Sequence, residues 1–278
     1  MSDIRKRASA PASVYLPLLT PAWAYRHFVA ASIRAELLRR FTRSSLGALW
    51  FILHPLAQAA IFALVLSEII VGKIPGVSGG AGYALYLTAG MAAWALFSEI
   101  ATRSTNVFVE YASVLKKISF PRICLPLIVG GSALLNHLLL LLAIAVIFAM
   151  FGFRPGLAWL AIPVAMVLIA GFAFGLGLLL GVFNVFMRDV GQVFGVVVQI
   201  WFWLTPIVYS LEVLPQRFQW LVQANPLAPL VAVYQQAFLH DALPTWSALA
   251  VPALATLGLM TMALLVFRRA AAEIVDEL

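Results

Sequence analysis

The sequence has 278 residues, of which 63% are hydrophobic and only 10% are charged, and its mean hydropathy is +1.00. Soluble domains carry about 25% charged residues, so the composition excludes an ordinary soluble protein. Long apolar runs with helix breakers, rather than alternating ten-residue segments, favour membrane-spanning helices. We therefore predict an all-α, polytopic integral membrane protein with a single domain over residues 1–278.

Residues 1–45 are predicted to be a cytoplasmic segment that ends in an amphipathic interface helix. Ile33, Leu37 and Phe41 recur at helical spacing, while cationic side chains fall on the opposite arc. Such a helix would lie in the membrane interface, where cations meet the anionic cytoplasmic leaflet. Its basic face is predicted to contain Arg39, Arg40 and Arg43.

Residues 46–267 are predicted to form a core of six membrane-spanning helices, followed by a cytoplasmic tail over residues 268–278. The proline at position 55 is expected to kink the first span, and prolines and glycines punctuate the loops. The predicted spans cover residues 46–71, 83–100, 125–151, 157–182, 190–209 and 246–267.

The distribution of lysine and arginine predicts the orientation. If the N-terminus is cytoplasmic, fifteen of the 18 basic residues lie on the cytoplasmic side and three outside. This bias is typical of multi-pass proteins of a cytoplasmic membrane, with both termini inside in a six-span chain. It also accounts for the net charge of +7 without a nucleic-acid partner.

Motifs for chemistry are largely missing from the sequence. The phosphate-binding motif Gly-x-x-x-x-Gly-Lys-Ser/Thr does not occur in the sequence. The chain is therefore not expected to hydrolyse ATP. One cysteine, Cys124, and four scattered histidines give no metal-ligand spacing. We expect no enzyme activity and no resident cofactor or metal.

Polar residues within spans are functional candidates because they are costly in lipid. Glu99 lies near an interface and is best explained as a snorkelling or capping group. His137 lies deeper, and either a functional role or a hydrogen bond to a neighbouring helix explains it. Gly171, Gly175, Gly177 and Gly181 form two small-x-x-x-small pairs that predict close helix packing.

Aromatic residues are dense in the second and fifth spans. Interfacial anchoring explains some of them, whereas flat aromatic faces also suit the apolar surfaces of sugar rings. We therefore consider a carbohydrate path lined by Trp94, Phe97, Phe194, Trp201, Phe202, Trp203 and Tyr209.

The connector between the second and third spans, residues 101–122, is polar and basic, with an amphipathic stretch at residues 110–122. It is either an ordinary cytoplasmic loop or a short helix on which a cytoplasmic partner docks. A transporter without a nucleotide site needs such a partner to drive uphill export.

Three stretches of the sequence resemble the ABC-2 type polysaccharide export permeases. The first is residues 43–56, with Leu-Gly-Ala-Leu-Trp at 46–50 and proline at 55. The second is residues 90–99, continued by Leu-Lys-Lys-Ile-Ser-Phe-Pro-Arg at 115–122. The third is Arg-Asp-Val at 188–190, with Leu-Thr-Pro-Ile-Val-Tyr at 204–209 and Asn-Pro-Leu at 225–227. The signatures are more similar to the O-antigen and teichoic-acid branch than to the capsule branch.

The resemblance implies a homodimer that pairs with two copies of a separate P-loop ATPase, which binds ATP and Mg²⁺. The substrate would be an undecaprenyl-diphosphate-linked polysaccharide, with O-antigen favoured, and Arg39, Arg40 and Arg43 would attract its pyrophosphate. Short helices over residues 210–242 would cap the outer end of the channel. The implied ATPase coupling helix contains Glu110, Tyr111, Lys116, Lys117, Phe120, Pro121 and Arg122.

Two other functions remain open at this stage. One is an ABC-2 exporter of a teichoic acid, capsule, small lipid or drug. The other is a membrane-embedded glycosyl or acyl transferase, which lacks a cluster of Asp, Glu or His at one interface.

Overall fold

The computed structural model describes residues 23–42, 79–118, 120–150, 156–271 and 273–278, together with Leu53, Ala57 and Ile61. Within these residues the secondary structure is helical. We number the α-helices α1 (Arg26–Thr42), α2 (Gly79–Glu110), α3 (Ala112–Lys117), α4 (Cys124–Met150), α5 (Ile162–Phe186), α6 (Asp189–Leu204), α7 (Gln216–Gln223), α8 (Ala228–Leu239), α9 (Ala250–Ala270) and α10 (Ile274–Glu277). Short 3₁₀ turns at Leu157–Ala161, Leu211–Val213 and Trp246–Leu249 precede α5, α7 and α9.

Four helices in the described part of the chain are long and apolar enough to cross a membrane. They are Gly82–Glu110, Cys124–Ala149, Leu157–Phe186 and Trp246–Ala270. They confirm the all-helical, multi-pass architecture and coincide with the predicted second, third, fourth and sixth spans. The predicted first span, residues 46–71, lies outside the described residues apart from three isolated positions.

Helix α5 packs between α2 and α9, because its glycines let both neighbours approach its backbone. A Cβ on Gly177 would lie 2.5 Å from the Ser104 Cβ of α2, and one on Gly181 would lie 2.7 Å from the Ser104 carbonyl oxygen. On another side, a Cβ on Gly175 would lie 3.1 Å from the Met260 backbone nitrogen of α9. The two predicted glycine pairs therefore serve two different partner helices.

Helix α2 corrects the predicted boundary of the second span. The span was predicted to end at residue 100 and to be followed by a polar connector, but the helix continues to Glu110. Its polar residues fit a helix because they bond within it: Thr105 Oγ1 donates to the Ala101 carbonyl, and Asn106 Nδ2 donates to that of Thr102. Most of α2 is buried among other helices.

The fifth span was predicted over residues 190–209 with an end near Pro206, and its helix, α6, ends just before that proline. The helix has 16 residues and ends at Leu204, because Pro206 has no amide donor to continue it. Residues 205–208 form a buried irregular segment instead. Asn184 bonds both to Gly191 at the start of α6 and to Asn106 of α2. At the other end, Tyr83 of α2 donates to the Val208 carbonyl. Helix α6 and the irregular segment therefore run beside α2 from Asn106 back to Tyr83, a separation of 23 residues or about 35 Å of helix.

We call the end of the bundle where α2 and α9 finish and α4 and α6 begin the basic end. Its exposed or half-buried cations are Lys116, Lys117, Arg122, Arg188, Arg268 and Arg269. Hydrophobic residues between α2, α3, α4, α5, α9 and α10 form a second core cluster there, distinct from the main core around α2, α5, α6 and α8.

Candidate functional site

Six aromatic rings form a continuous chain of contacts between α2, α5 and α6. The Trp94 ring lies 5.6 Å from Phe202 and 5.2 Å from Phe97, measured between centroids. Phe97 lies 5.2 Å from Trp201, and Trp203 extends the chain from Phe202 at 5.4 Å. The rings meet edge-on or tilted, the arrangements that aromatic pairs favour. The sixth ring, Phe172 of α5, was not among the predicted aromatic residues.

Burial divides the predicted path residues into two groups. Trp94, Phe97 and Phe194 are buried in the core of the chain, and Trp201, Phe202 and Tyr209 are half-buried. Trp203 is 55% exposed. In this single chain, Trp203 therefore presents the largest accessible aromatic face of the set, whereas Phe97 contributes to packing.

Side chains from α2 and α8 bind the carbonyl groups of the irregular segment after α6. Tyr83 donates to the Val208 carbonyl at 2.8 Å, and Tyr86 donates to that of Tyr209 at 2.7 Å. Gln235 of α8 donates to the Pro206 carbonyl at 2.9 Å. Irregular backbone at membrane depth is tolerated where protein groups satisfy it, so these bonds make the broken helix end feasible.

Asn225 ties the same segment to the loop before α8. Its amide nitrogen donates to Thr205 Oγ1 at 2.9 Å, and its side-chain oxygen accepts from the Trp201 indole nitrogen at 3.0 Å and from the Leu227 amide at 3.0 Å. Two separated parts of the family-like sequence, residues 204–209 and 225–227, thus meet in space. This bridge also holds Trp201 within the aromatic chain.

The basic helix α1 packs against α4 and reaches α2 through one ion pair. The Cδ1 atom of Ile33 occupies the space that a Cβ on Gly131 would need, at 2.4 Å. Glu36 of α1 pairs with Arg103 of α2, and its side chain is 15% exposed. Arg39 is exposed and donates to the Ala35 carbonyl of its own helix. Arg40 belongs to α1, and Arg43 lies outside the described residues.

Arg103 also bonds to Glu99, one of the polar residues predicted within a span. Its guanidinium donates to Glu99 at 3.1 Å and to Ser132 of α4 at 3.3 Å, while Asn136 of α4 donates to the same Glu99 oxygen at 3.2 Å. Glu99 is thus part of a network across three helices rather than a lone snorkelling group. The charges in this network are partly shielded from water, which strengthens their attraction.

His137 forms a hydrogen bond with a neighbouring helix, which was one of the two explanations offered for its place in a span. Its Nε2 atom lies 2.9 Å from the Tyr234 hydroxyl of α8, and both residues are buried. The pair therefore joins α4 to α8 in the main core.

The predicted coupling residues lie together at the basic end. Glu110 ends α2, Tyr111 precedes α3, and Lys116 and Lys117 finish α3, all four with exposed side chains. Leu115 anchors α3 in the second core cluster.

The three coupling residues after α3 are half-buried: Phe120, Pro121 and Arg122. The Phe120 ring lies 5.6 Å from Phe28 of α1, between centroids. The short helix that the sequence allowed at residues 110–122 is therefore present, and the segment after it contacts the basic helix.

The Arg188 turn is fixed by a residue that sequence reasoning did not select. Asn184 of α5 donates to the Thr105 carbonyl at 3.1 Å and to Asn106 Oδ1 at 3.2 Å, and it accepts from the Gly191 amide at 2.8 Å. The exposed Arg188 and Asp189 side chains are thereby placed at the basic end, the same end as α3. Asn184 is a lone polar residue in an apolar run, the signal that could have identified it.

Comparison with known proteins supports one family. Residues 28–239 match the family model described as ABC-2 type transporter. A Klebsiella pneumoniae protein named O-antigen export system permease protein RfbA is 31% identical over 212 residues, covering 75% of this chain and 78% of the relative. A Myxococcus xanthus protein of the same name is 25% identical over 229 residues, covering 82% of this chain and 86% of the relative.

The family match extends from within α1 to the end of α8. It includes the polar network around Arg103, the aromatic chain and the Asn225 bridge, and the four candidate spans agree with a multi-pass membrane protein. The chain belongs to the ABC-2 type transporter family.

Proposed function

We propose that this chain is the permease subunit of an ABC transporter that exports an undecaprenyl-diphosphate-linked polysaccharide, most specifically O-antigen. The observation that carries the proposal is the family match over residues 28–239 together with relatives named O-antigen export permeases. The substrate moves from the cytoplasm to the periplasmic side of a bacterial inner membrane.

The basic end is assigned to the cytoplasm, following the positive-inside bias. The described candidate spans supply four crossings, and α6 with residues 205–209 supplies a fifth along the length of α2. The predicted first span supplies the sixth, which places both termini inside. Helices α7 and α8 then lie toward the outer side, before the last span.

The energy comes from a separate P-loop ATPase that binds ATP and Mg²⁺, with two copies serving a homodimer of this chain. Its docking site is the basic end, where Glu110, Lys116 and Lys117 are exposed around α3. Because Leu115 connects α3 to the cluster that also contains residues of α2, α5 and α9, displacement of α3 by the ATPase would move these helices together. The chain itself then needs no covalent chemistry.

The lipid-linked substrate is recognised at two places in this proposal. Arg39, Arg40 and Arg43 attract the pyrophosphate at the inner leaflet, since cations form strong charge-assisted hydrogen bonds with phosphate oxygens. The aromatic residues offer apolar faces to the sugar rings. Trp203 is the best-placed contact because it is exposed and continuous with the buried rings.

Affinity purification from native membranes tests the transporter assignment. We expect a P-loop ATPase to co-purify at near one-to-one stoichiometry, and a deletion strain to accumulate polysaccharide in the cytoplasm. A stable chain that purifies without any ATPase would contradict the energy source. Normal surface polymer in the deletion strain would contradict the substrate class.

Substitutions test the two recognition sites. The double charge reversal Arg39→Glu with Arg43→Glu should reduce export while ATPase assembly stays intact. Trp203→Ala should also reduce export, whereas Trp246→Ala, at an equally exposed tryptophan outside the aromatic chain, should not. Unchanged surface polymer in the first variant would contradict the pyrophosphate role, and equal export by the two tryptophan variants would contradict the sugar contact.

A further inference from the structure

Helix α10 in the tail folds back against the basic end. Its first residue, Ile274, has no exposed surface and belongs to the second core cluster, with Leu115 of α3 and Phe267 of α9. Leu278 packs against the same cluster, and α10 contacts both α3 and α5. The tail, predicted as a cytoplasmic extension, is therefore packed on the coupling region.

This contact matters because α3 has little to hold it in place by itself. A helix of six residues is far too short to be stable alone in water, where isolated helices need about 12–15 residues. Within α3 only Leu115 is buried. The position of α3 therefore depends on its neighbours, which include α10, and Ile274 belongs to the same buried cluster as Leu115.

This packing brings together two helices whose exposed charges are opposite in sign. Lys116 and Lys117 are exposed on α3, and Glu273, Asp276 and Glu277 are exposed on and beside α10. Two elements that contact each other thus carry exposed side chains of opposite charge, positive on α3 and negative on and beside α10. Complementary patches of this kind guide association and fix the register of a partner.

We infer that residues 273–278 are a second element of the ATPase docking surface, held against α3 by Ile274. The inference rests on the proposed function, because it assigns the partner to the transporter ATPase. The ATPase surface that fits carries acidic side chains opposite Lys116 and Lys117 and cationic side chains opposite Glu273, Asp276 and Glu277. Ile274 is a positioning residue and contacts no nucleotide or substrate.

Binding of the purified ATPase to the full-length permease in lipid nanodiscs tests the inference. The triple variant Glu273→Gln, Asp276→Asn and Glu277→Gln removes the negative patch without disturbing buried packing. We expect its Kd to rise about fivefold at low salt and much less at high salt, where exposed charges are screened. The matched control is Glu212→Gln, an exposed carboxylate in the loop after α6, which should leave the Kd unchanged.

A second pair of variants separates position from charge. Ile274→Asp should raise the Kd at both salt concentrations because it disrupts the cluster that holds α3, and Ile274→Leu should restore binding. A triple variant that binds as tightly as the wild type at low salt would overturn the inference. If the wild-type permease itself binds no ATPase, the proposed function fails first, and the two failures are distinguishable.

Discussion

The guanidinium of Arg103 in α2 pairs with the Glu36 carboxylate in α1, so one ion pair connects the basic helix to the central helix of the bundle. Arg103→Ala would leave the partly buried Glu36 and Glu99 carboxylates without this cation. We expect the free energy of unfolding to fall by about 2 kcal/mol, because removing one member of a shielded pair costs more than the pair contributes.

Thermal unfolding of the purified protein in one detergent measures this loss. Arg268→Ala is the control, since Arg268 is exposed at the end of α9 and should change stability little. Arg103→Lys keeps the charge but not the forked geometry of the guanidinium. Its unfolding temperature should therefore lie between those of Arg103→Ala and Arg268→Ala. Equal unfolding temperatures for Arg103→Ala and Arg268→Ala would show that the network does not stabilise the fold.

Alanine substitutions at glycines should differ according to the space around each glycine. Gly177→Ala places a Cβ 2.5 Å from that of Ser104 and 2.8 Å from the Ala101 carbonyl oxygen, so α2 and α5 must separate. The expected loss is about 2 kcal/mol. Gly195→Ala and Gly258→Ala meet no atom within 4 Å and should remain within about 1 kcal/mol of the wild type. Chemical or thermal unfolding of the three variants side by side provides the comparison, and a uniform response would refute the packing argument.

Asn225→Ala should weaken the connection between α6 and the loop before α8. Three close hydrogen bonds involve its side chain, and each contributes about 1 kcal/mol, so we expect a loss of about 2–3 kcal/mol. The Trp201 indole would lose its partner, so its fluorescence is the most direct local readout. Gln223→Ala, at an exposed neighbour, should behave like the wild type. If Asn225→Ala and Gln223→Ala unfold at the same temperature, the Asn225 side chain does not stabilise the connection between α6 and the loop before α8.

Substitutions after the coupling helix should separate ATP hydrolysis from export. Phe120→Asp with Pro121→Ala breaks the contact with Phe28 and loosens the segment between α3 and α4. We expect ATP hydrolysis by the assembled complex to continue while export falls strongly. Phe28→Ala should have a smaller effect in the same direction, because it removes one ring and leaves the segment intact.

The control for this experiment is His27→Ala, an exposed neighbour of Phe28 on α1. Parallel measurement of ATPase rate and surface polymer is required, since each alone cannot detect uncoupling. A double variant whose export stays proportional to its ATPase rate would contradict the coupling assignment.

Composition, breakers and basic residues were enough to predict the membrane class and four of the helices that could cross it. The glycine pairs of α5 were also predictable, because small residues at four-residue spacing have a direct packing meaning. The residues at which the helices end were not predictable in the same way. The polar run after residue 100 predicts a loop, but Thr105 and Asn106 bond to their own helix and extend it.

The sequence did not predict which residues bond to each other when they are far apart along the chain. Nothing in the neighbourhood of Glu36 indicates that its partner lies 67 residues away on α2, or that Asn225 would reach Thr205. The burial of Phe97 and the exposure of Trp203 also depend on how α6 lies against α2. Aromatic density predicted a cluster, but only the packed structure divides it into interior and accessible rings.

The central position of α2 has a consequence for the biogenesis of the protein. This helix contains Glu99 and Arg103 and is the least apolar of the four candidate spans, yet it is the most enclosed by protein. When it leaves the ribosome, the helices that enclose it, α4, α5 and α8, have not been synthesised. A newly inserted α2 therefore lacks Ser132 and Asn136, the α4 partners of its charged groups, until about 40 further residues have followed it, and it is fully enclosed only after about 130, so insertion of this span should rely on help from the insertion machinery more than that of α4, α5 or α9.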